Sequence, residues 1–215
     1  MRRFCAMACE RSIEVLTWYR ARRDWRMSFD EMDRSLTRRG GWPETNAIRE
    51  RTEEVMELST LDARARVAWF ENHGGARSGP GHIVYARALE ALGRDEEAMV
   101  EVRKAWHGRT LLKEGSQKTY SRYKDRLTQQ DHRKRGDFLL WTRQTTAASR
   151  MRSLLPPDWR ALLDARSKLL RRARGVETAV DAVSRELQAQ PGLMFDRAEW
   201  RRRSRMTNRV VPLLR

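Results

Sequence analysis

Apolar residues in this chain recur at the spacing of a helix face, and residues typical of strands are sparse. Leu61, Ala65, Ala68 and Trp69 form one stripe at i, i+4, i+7 and i+8. Ala98, Val102, Ala105 and Trp106 repeat it, as do Ala147, Met151, Leu154 and Leu155, and then Val176, Val180, Val183 and Leu187. Between the stripes fall stops and starts: Gly74-Gly75, Ser78 to Gly81, Gly93, Gly108, Gly115-Ser116, Pro156-Pro157-Asp158, Gly175 and Pro191-Gly192. Six prolines and twelve glycines in 215 residues leave little chain for turns. The spacing therefore predicts an all-α protein with helices of about 11–16 residues joined by short connections, which is the pattern of antiparallel helix pairs.

Stacked pairs of this kind predict a right-handed superhelix, a solenoid of tetratricopeptide-like units. The segment from Tyr85 to Trp106 is the most legible pair. Tyr85, Leu89 and Leu92 share a face, Gly93 ends the first helix, and Asp95-Glu96-Glu97 supply acid to the N-terminus of the second. Small Ala86 and Ala98 permit close approach of the two helices. Ser28 with Glu31 has the form of a capping box. Trp69, Trp106 and Trp141 stand 37 and 35 residues apart and suggest a loose repeat, although bulky rings also plug gaps in any helical bundle. In "DHRKRGDFLLWTRQ", from Asp131 to Gln144, the reading is a helix start with an exposed basic half and a buried Leu139-Leu140-Trp141 half. On that reading, cutting Trp141 to Ala costs several kcal/mol, roughly 3–5.

Charge narrows the partners. A formal net charge of +16 attracts polyanions: nucleic acid, an acidic membrane face or a carboxylate-bearing polymer. Arg171-Arg172-Ala173-Arg174 and the run from Arg201 to Arg205 read as solvated helix faces. Arginines are scattered over almost every helix and tryptophans follow the apolar stripes, so nucleic acid is the less favoured partner. Phe4 to Cys9 resembles the start of an export signal, but Glu10 and Arg11 cut it short. Charges also interrupt every window long enough to span a membrane.

The chemistry-bearing residues form no known constellation. Cys5 and Cys9 lie one helical turn apart without a histidine pair, and read as two ordinary thiols. His73, His82, His107 and His132 lack metal-ligand spacing and read as helix caps or polar packing. Gly74, Gly75, Gly79 and Gly81 neither follow a strand nor lead into Gly-Lys-Ser/Thr, and read as a connection. No nucleophile elbow is present. The expected set of catalytic, cofactor-binding and metal-ligating residues is therefore empty, and no cofactor is implied.

One resemblance runs through residues 28–203 of the chain. Asp131-His132, Asp137 through Trp141, Ala148 to Arg150, Arg160 through Arg166 and Pro191 through Arg202 follow one another as in the helical superhelix of soluble lytic murein transglycosylases. Upstream, Phe29-Asp30-Glu31, Gly41-Trp42-Pro43, Trp69-Phe70, Gly81-His82, Tyr85 to Gly93 and Lys104-Ala105-Trp106 continue the order more thinly. Residues 28–203 thus resemble that accessory domain, with a poorly matching segment 1–27 before it and a divergent tail 204–215 after it.

The resemblance implies a family that cleaves peptidoglycan glycan strands with one carboxylic acid, closing a 1,6-anhydro ring. In that family the acid sits in a Glu-Ser pair, within a separate lysozyme-like domain, with Gly-Leu-Met-Gln further on. This chain has no Glu-Ser pair. Gly192-Leu193-Met194 mimics the later motif, but Phe195 replaces the Gln and the neighbours match the superhelix. The expectation is a truncated gene product or domain fragment, inactive alone, that positions a catalytic domain on peptidoglycan. Its location is periplasmic by resemblance, or cytoplasmic if the start is genuine. The alternatives are a helical-repeat scaffold for protein partners and, behind it, a basic nucleic-acid binder.

Overall fold

The computed structural model describes residues 2–24, 26–38 and 42–204, with side chains described from Ser12 onward. Helix makes up most of the described residues and no strand occurs among them, so the protein is all-α. The helices are α1 (Arg2–Arg23), α2 (Phe29–Arg38), α3 (Thr45–Val55), α4 (Ala63–Asn72), α5 (Gly79–Ala91), α6 (Asp95–Gly108), α7 (Lys113–Tyr123), α8 (Gln129–Trp141), α9 (Thr145–Met151), α10 (Pro157–Arg171), α11 (Val176–Asp181), α12 (Arg185–Gln188) and α13 (Pro191–Arg203). Short 3₁₀ turns, Met56–Leu58 and Arg152–Leu154, extend α3 and α9. The thiols of Cys5 and Cys9, Gly41 and the tail from Arg205 lie outside the described residues.

The helix starts recur every 50 residues in groups of three. Residues 29, 45 and 63 open α2, α3 and α4; residues 79, 95 and 113 open α5, α6 and α7; residues 129 and 145 open α8 and α9. The third group then falls out of step, because α10 opens at Pro157, six residues early. The period is set by the caps. Ser28 and Glu31 form the expected capping box, with the Ser28 N–H donating to Glu31 Oε2 at 2.9 Å. Ser78 Oγ accepts from the Gly81 N–H at 2.9 Å, and Thr128 forms a second box with Asp131. Each cap fixes the phase of its helix. The positions four, seven and eight residues beyond it are buried all three times: Met32, Ser35 and Leu36; His82, Tyr85 and Ala86; His132, Arg135 and Gly136. In the second helices Ile48, Ala98 and Ala148 are likewise buried.

Left-handed residues close several helices. Gly93, at φ 74°, ends α5 as the sequence predicts, and the Arg94 N–H reaches back to the Leu89 carbonyl at 3.0 Å. Arg143 and Arg172 take the same role after α8 and α10, with φ of 59° and 52°. A side chain in that region costs about 1 kcal/mol relative to glycine, and the closing bonds Gln144 N–H to Leu139 O (2.7 Å) and Ala173 N–H to Lys168 O (3.0 Å) offset it.

The chain divides into two compact units, Met1–Ala105 with Arg109–Gly115 and Trp106–Gly108 with Ser116–Arg215. In the first, Phe70 stacks on Tyr85 with ring centroids 4.7 Å apart and meets Trp69 edge-on. Trp69 donates its indole N–H to Asp33 at 2.6 Å. In the second, Leu162, Ala165 and Leu169 of α10 pack with Val176, Val180, Val183, Leu187 and Leu193.

Several expectations need correction. The last stripe is buried at all four positions, but its helix breaks between Asp181 and Arg185. Leu61 precedes α4, where Asp62 is the cap, and Ala68 is exposed; Val67, Trp69 and Phe70 are the buried residues there. Gly79 and Gly81 belong to α5 rather than to a connection. The tryptophans do not mark the repeat. Trp106 is 1% exposed and Trp141 is 46% exposed. At 100° per residue Trp141 stands about half a turn from the face of His132, so it points outward. The basic half of α8 is correspondingly not all exposed, since His132 and Arg135 occupy that face and are buried. Urea unfolding should therefore show Trp106→Ala losing about 3–5 kcal/mol and Trp141→Ala about 1 kcal/mol or less.

Candidate functional site

Buried polar groups are the candidates for chemistry, because each must be hydrogen-bonded or carry a function. In the first unit Glu53 is fully buried on α3. Its carboxylate accepts the backbone N–H groups of Arg77 (3.0 Å) and Ser78 (2.7 Å), and so holds the start of α5. Gly81 makes that approach possible, since a Cβ there would collide with Glu53 Oε2. One turn on, His82 Nδ1 lies 2.6 Å from Glu101 Oε2, and Lys104 Nζ donates to Oε1 at 2.6 Å. Burial alone would raise the Glu101 pKa. The bonds from His82 and Lys104 outweigh it and hold the carboxyl below its ordinary value.

In the second unit the last turn of α6 meets α8. His107 Nε2 lies 2.7 Å from Asp131 Oδ1, whose other oxygen closes the Thr128 capping box. Burial pushes the Asp131 pKa up, but the Thr128 and His107 bonds prevail and depress it. Arg135 is 1% exposed, donates Nη1 to the Trp106 carbonyl at 3.1 Å and lies 5.1 Å from the Trp106 ring centroid. Desolvation pushes its pKa down to about 10. His132 is also depressed, by burial first, with Asp131 opposing.

A third node gathers α8, α10 and α13. Arg166, 1% exposed, donates Nε to Asp196 Oδ2 at 2.7 Å and Nη1 to Asp137 Oδ1. Gly192 packs against its guanidinium so closely that a Cβ would collide with Cζ. Burial raises the Asp196 pKa, outweighing the Arg166 bond. The far face of the guanidinium lies 5.3 Å from the Trp141 ring centroid, and Trp141 leans on Phe195 at 5.3 Å, both rings being about half exposed.

No catalytic, cofactor or metal residue is expected from sequence. The structure turns the notable residues toward each other. His73 caps α4, with Nδ1 2.7 Å from the Trp69 carbonyl, while His82 lies against Glu101 and His107 against Asp131, beside His132. Gly192-Leu193-Met194 is the first turn of α13, with Gly192 and Leu193 buried, and serves the Arg166 node. Asp196 is an acid of raised pKa, but it is 5% exposed and committed to Arg166. The Arg166 node escapes sequence reading because its partners lie 29 and 30 residues away. The available signal is a charge at a core phase of a helix, as at Arg166 between Leu162, Leu163 and Leu169.

Comparison with known proteins brings no match to a family, to a curated protein or to a solved structure.

Two outcomes follow. Gly192→Ala forces the Arg166 guanidinium off its carboxylates, and thermal unfolding should show a loss of about 1–3 kcal/mol. For His132, the folded pKa lies below the unfolded value of about 6.5, so the unfolded chain takes up the proton first. Its contribution to stability is complete above about pH 6.5 and is lost as pH falls toward the folded pKa. Urea midpoints from about pH 8 to pH 5 should fall more steeply for the wild type than for His132→Gln.

Proposed function

We propose that this chain is a non-catalytic accessory domain of the soluble lytic murein transglycosylase type, its helix groups stacked as a superhelix that positions a catalytic domain against peptidoglycan in the periplasm. The observation that carries this reading is the Arg166 node. Asp137, Arg166, Gly192 and Asp196 come from three separate motifs of the resemblance, each recognised by sequence order alone, and they meet around one guanidinium. The 50-residue, three-helix period supports the superhelical part of the reading, since a fixed period of helical groups is the pattern of stacked repeats. The net charge of +16 suits carboxylate-bearing peptide stems.

A second reading, a scaffold for protein partners, is favoured by the exposed Trp141–Phe195 pair, because paired aromatics beside an arginine are typical of interface anchors.

Pull-down on purified sacculi separates the two. The accessory-domain reading expects retention that falls by roughly tenfold between about 50 and 500 mM salt and is unchanged in Trp141→Ser. Absence of retention at low salt contradicts it. The chain alone should release no anhydro-muropeptides in a muramidase assay.

A further inference from the structure

Charge is divided unevenly between the two units. By sequence the first carries 21 lysines and arginines against 19 aspartates and glutamates, and the second carries 24 against 10. Nearly all of the net charge of +16 therefore belongs to the second unit. The first pairs its cations with its acids, as in Arg20 with Asp24, Arg22 with Glu44, Arg87 with Glu57 and Arg94 with Glu71 and Glu97. In the second, several of the few acids are committed within the fold: Asp131 to Thr128 and His107, Asp137 and Asp196 to Arg166. An even scatter of arginines along the sequence thus becomes one strongly positive unit.

The same unit holds an aromatic pair open. Trp141 ends α8, Phe195 lies on α13, both are about half exposed, and their ring centroids are 5.3 Å apart. The Arg166 guanidinium lies over the Trp141 ring, 5.3 Å from its centroid, and is itself fixed by Asp137 and Asp196. The indole is propped on an immobile cation, so the fold presents it as a preorganised platform.

Cations flank that platform. Arg143, two residues beyond Trp141, is exposed, and its charge is felt at Asp196, the neighbour of Phe195. On α8 the exposed Lys134 stands seven residues before Trp141, and on α13 the exposed Arg202 stands seven beyond Phe195. Seven residues return a helix to nearly the same face about 10 Å along, so each ring has a cation on its own face. Glu199 is the acid of the α13 stripe, and Arg202 and Arg203 share it.

Open rings within a strongly basic unit match a polymer that has both π faces and negative charge. Single-stranded nucleic acid is such a polymer, whereas a duplex hides its base faces and a polyanion without bases makes no use of the rings. Sequence alone disfavours nucleic acid because arginines are scattered and tryptophans follow the apolar stripes. In the structure the charge is concentrated and Trp141 points outward.

We propose that the second unit binds single-stranded nucleic acid, with a base stacked at Trp141 and Phe195 and the flanking phosphates on Lys134, Arg143 and Arg202. This does not rest on the accessory-domain reading, which expects sacculus binding to be indifferent to Trp141.

Fluorescence anisotropy of the whole chain with a labelled oligothymidine of about 15 nucleotides, the matching oligouridine and an abasic strand of equal length tests the site and separates DNA from RNA. At about 100 mM salt at least one base-bearing strand should bind with a Kd of about 10 µM or tighter, and about tenfold more tightly than the abasic strand. Trp141→Ala should remove most of that difference, and Phe195→Ala should reduce it, while both bind the abasic strand as the wild type does. Arg143→Gln should weaken base-bearing and abasic strands alike, by about threefold. Equal affinity of the wild type for base-bearing and abasic strands overturns the proposal, as does a difference that survives both aromatic substitutions. Absence of binding to every strand also overturns it and leaves the pair to a protein partner, without bearing on retention by sacculi.

Discussion

The phase of a capped helix dictates what this protein buries, whatever residue the sequence supplies. Once Ser28, Ser78 or Thr128 fixes the start of a helix, the fourth, seventh and eighth positions beyond it face inward. In the first group those positions hold Met32, Ser35 and Leu36, which satisfy ordinary hydrophobic burial. In the third they hold His132 and Arg135, and the cost is visible in the depressed pKa of both. The buried polar side chains are thus a consequence of the repeat. They are accommodated by the Trp106 carbonyl and ring for Arg135, and by a ring cluster for His132.

The two units solve a similar problem with opposite charges. In the first, a buried carboxylate, Glu53, reaches the start of α5 because Gly81 has no side chain. In the second, a buried guanidinium, Arg166, reaches α13 because Gly192 has none. A bidentate cation between Asp137 and Asp196 fixes the register of three helices more tightly than apolar contacts would, since apolar contacts tolerate sliding. Burial raises the pKa of Asp196 despite the Arg166 bond, which fits a role in specificity rather than in net stability.

Much of the fold is legible in the sequence. The all-α class follows from the stripes, the Ser28–Glu31 box from its spacing, and the end of α5 from Gly93. The 50-residue period is not, because it resides in cap positions and helix phase, while the residues at equivalent positions, such as Ser35, Tyr85 and Arg135, differ in size and polarity. The tryptophans mislead because ring size attracts attention, whereas Trp141 lies on the outward side of its helix. Arg135 and Arg166 are hidden for a related reason. In a chain with 45 lysines and arginines, two buried ones look like all the rest until helix phase is imposed.

The account stands on the notable motifs being structural, held together by Arg166. A double-mutant cycle in urea with Arg166→Met and Asp196→Leu tests that most directly. Each single variant should lose about 3–5 kcal/mol, because it strands a buried charge, and the double variant should recover most of the loss. If Arg166→Met alone unfolds at the wild-type midpoint, the node holds nothing together and the motifs require another explanation.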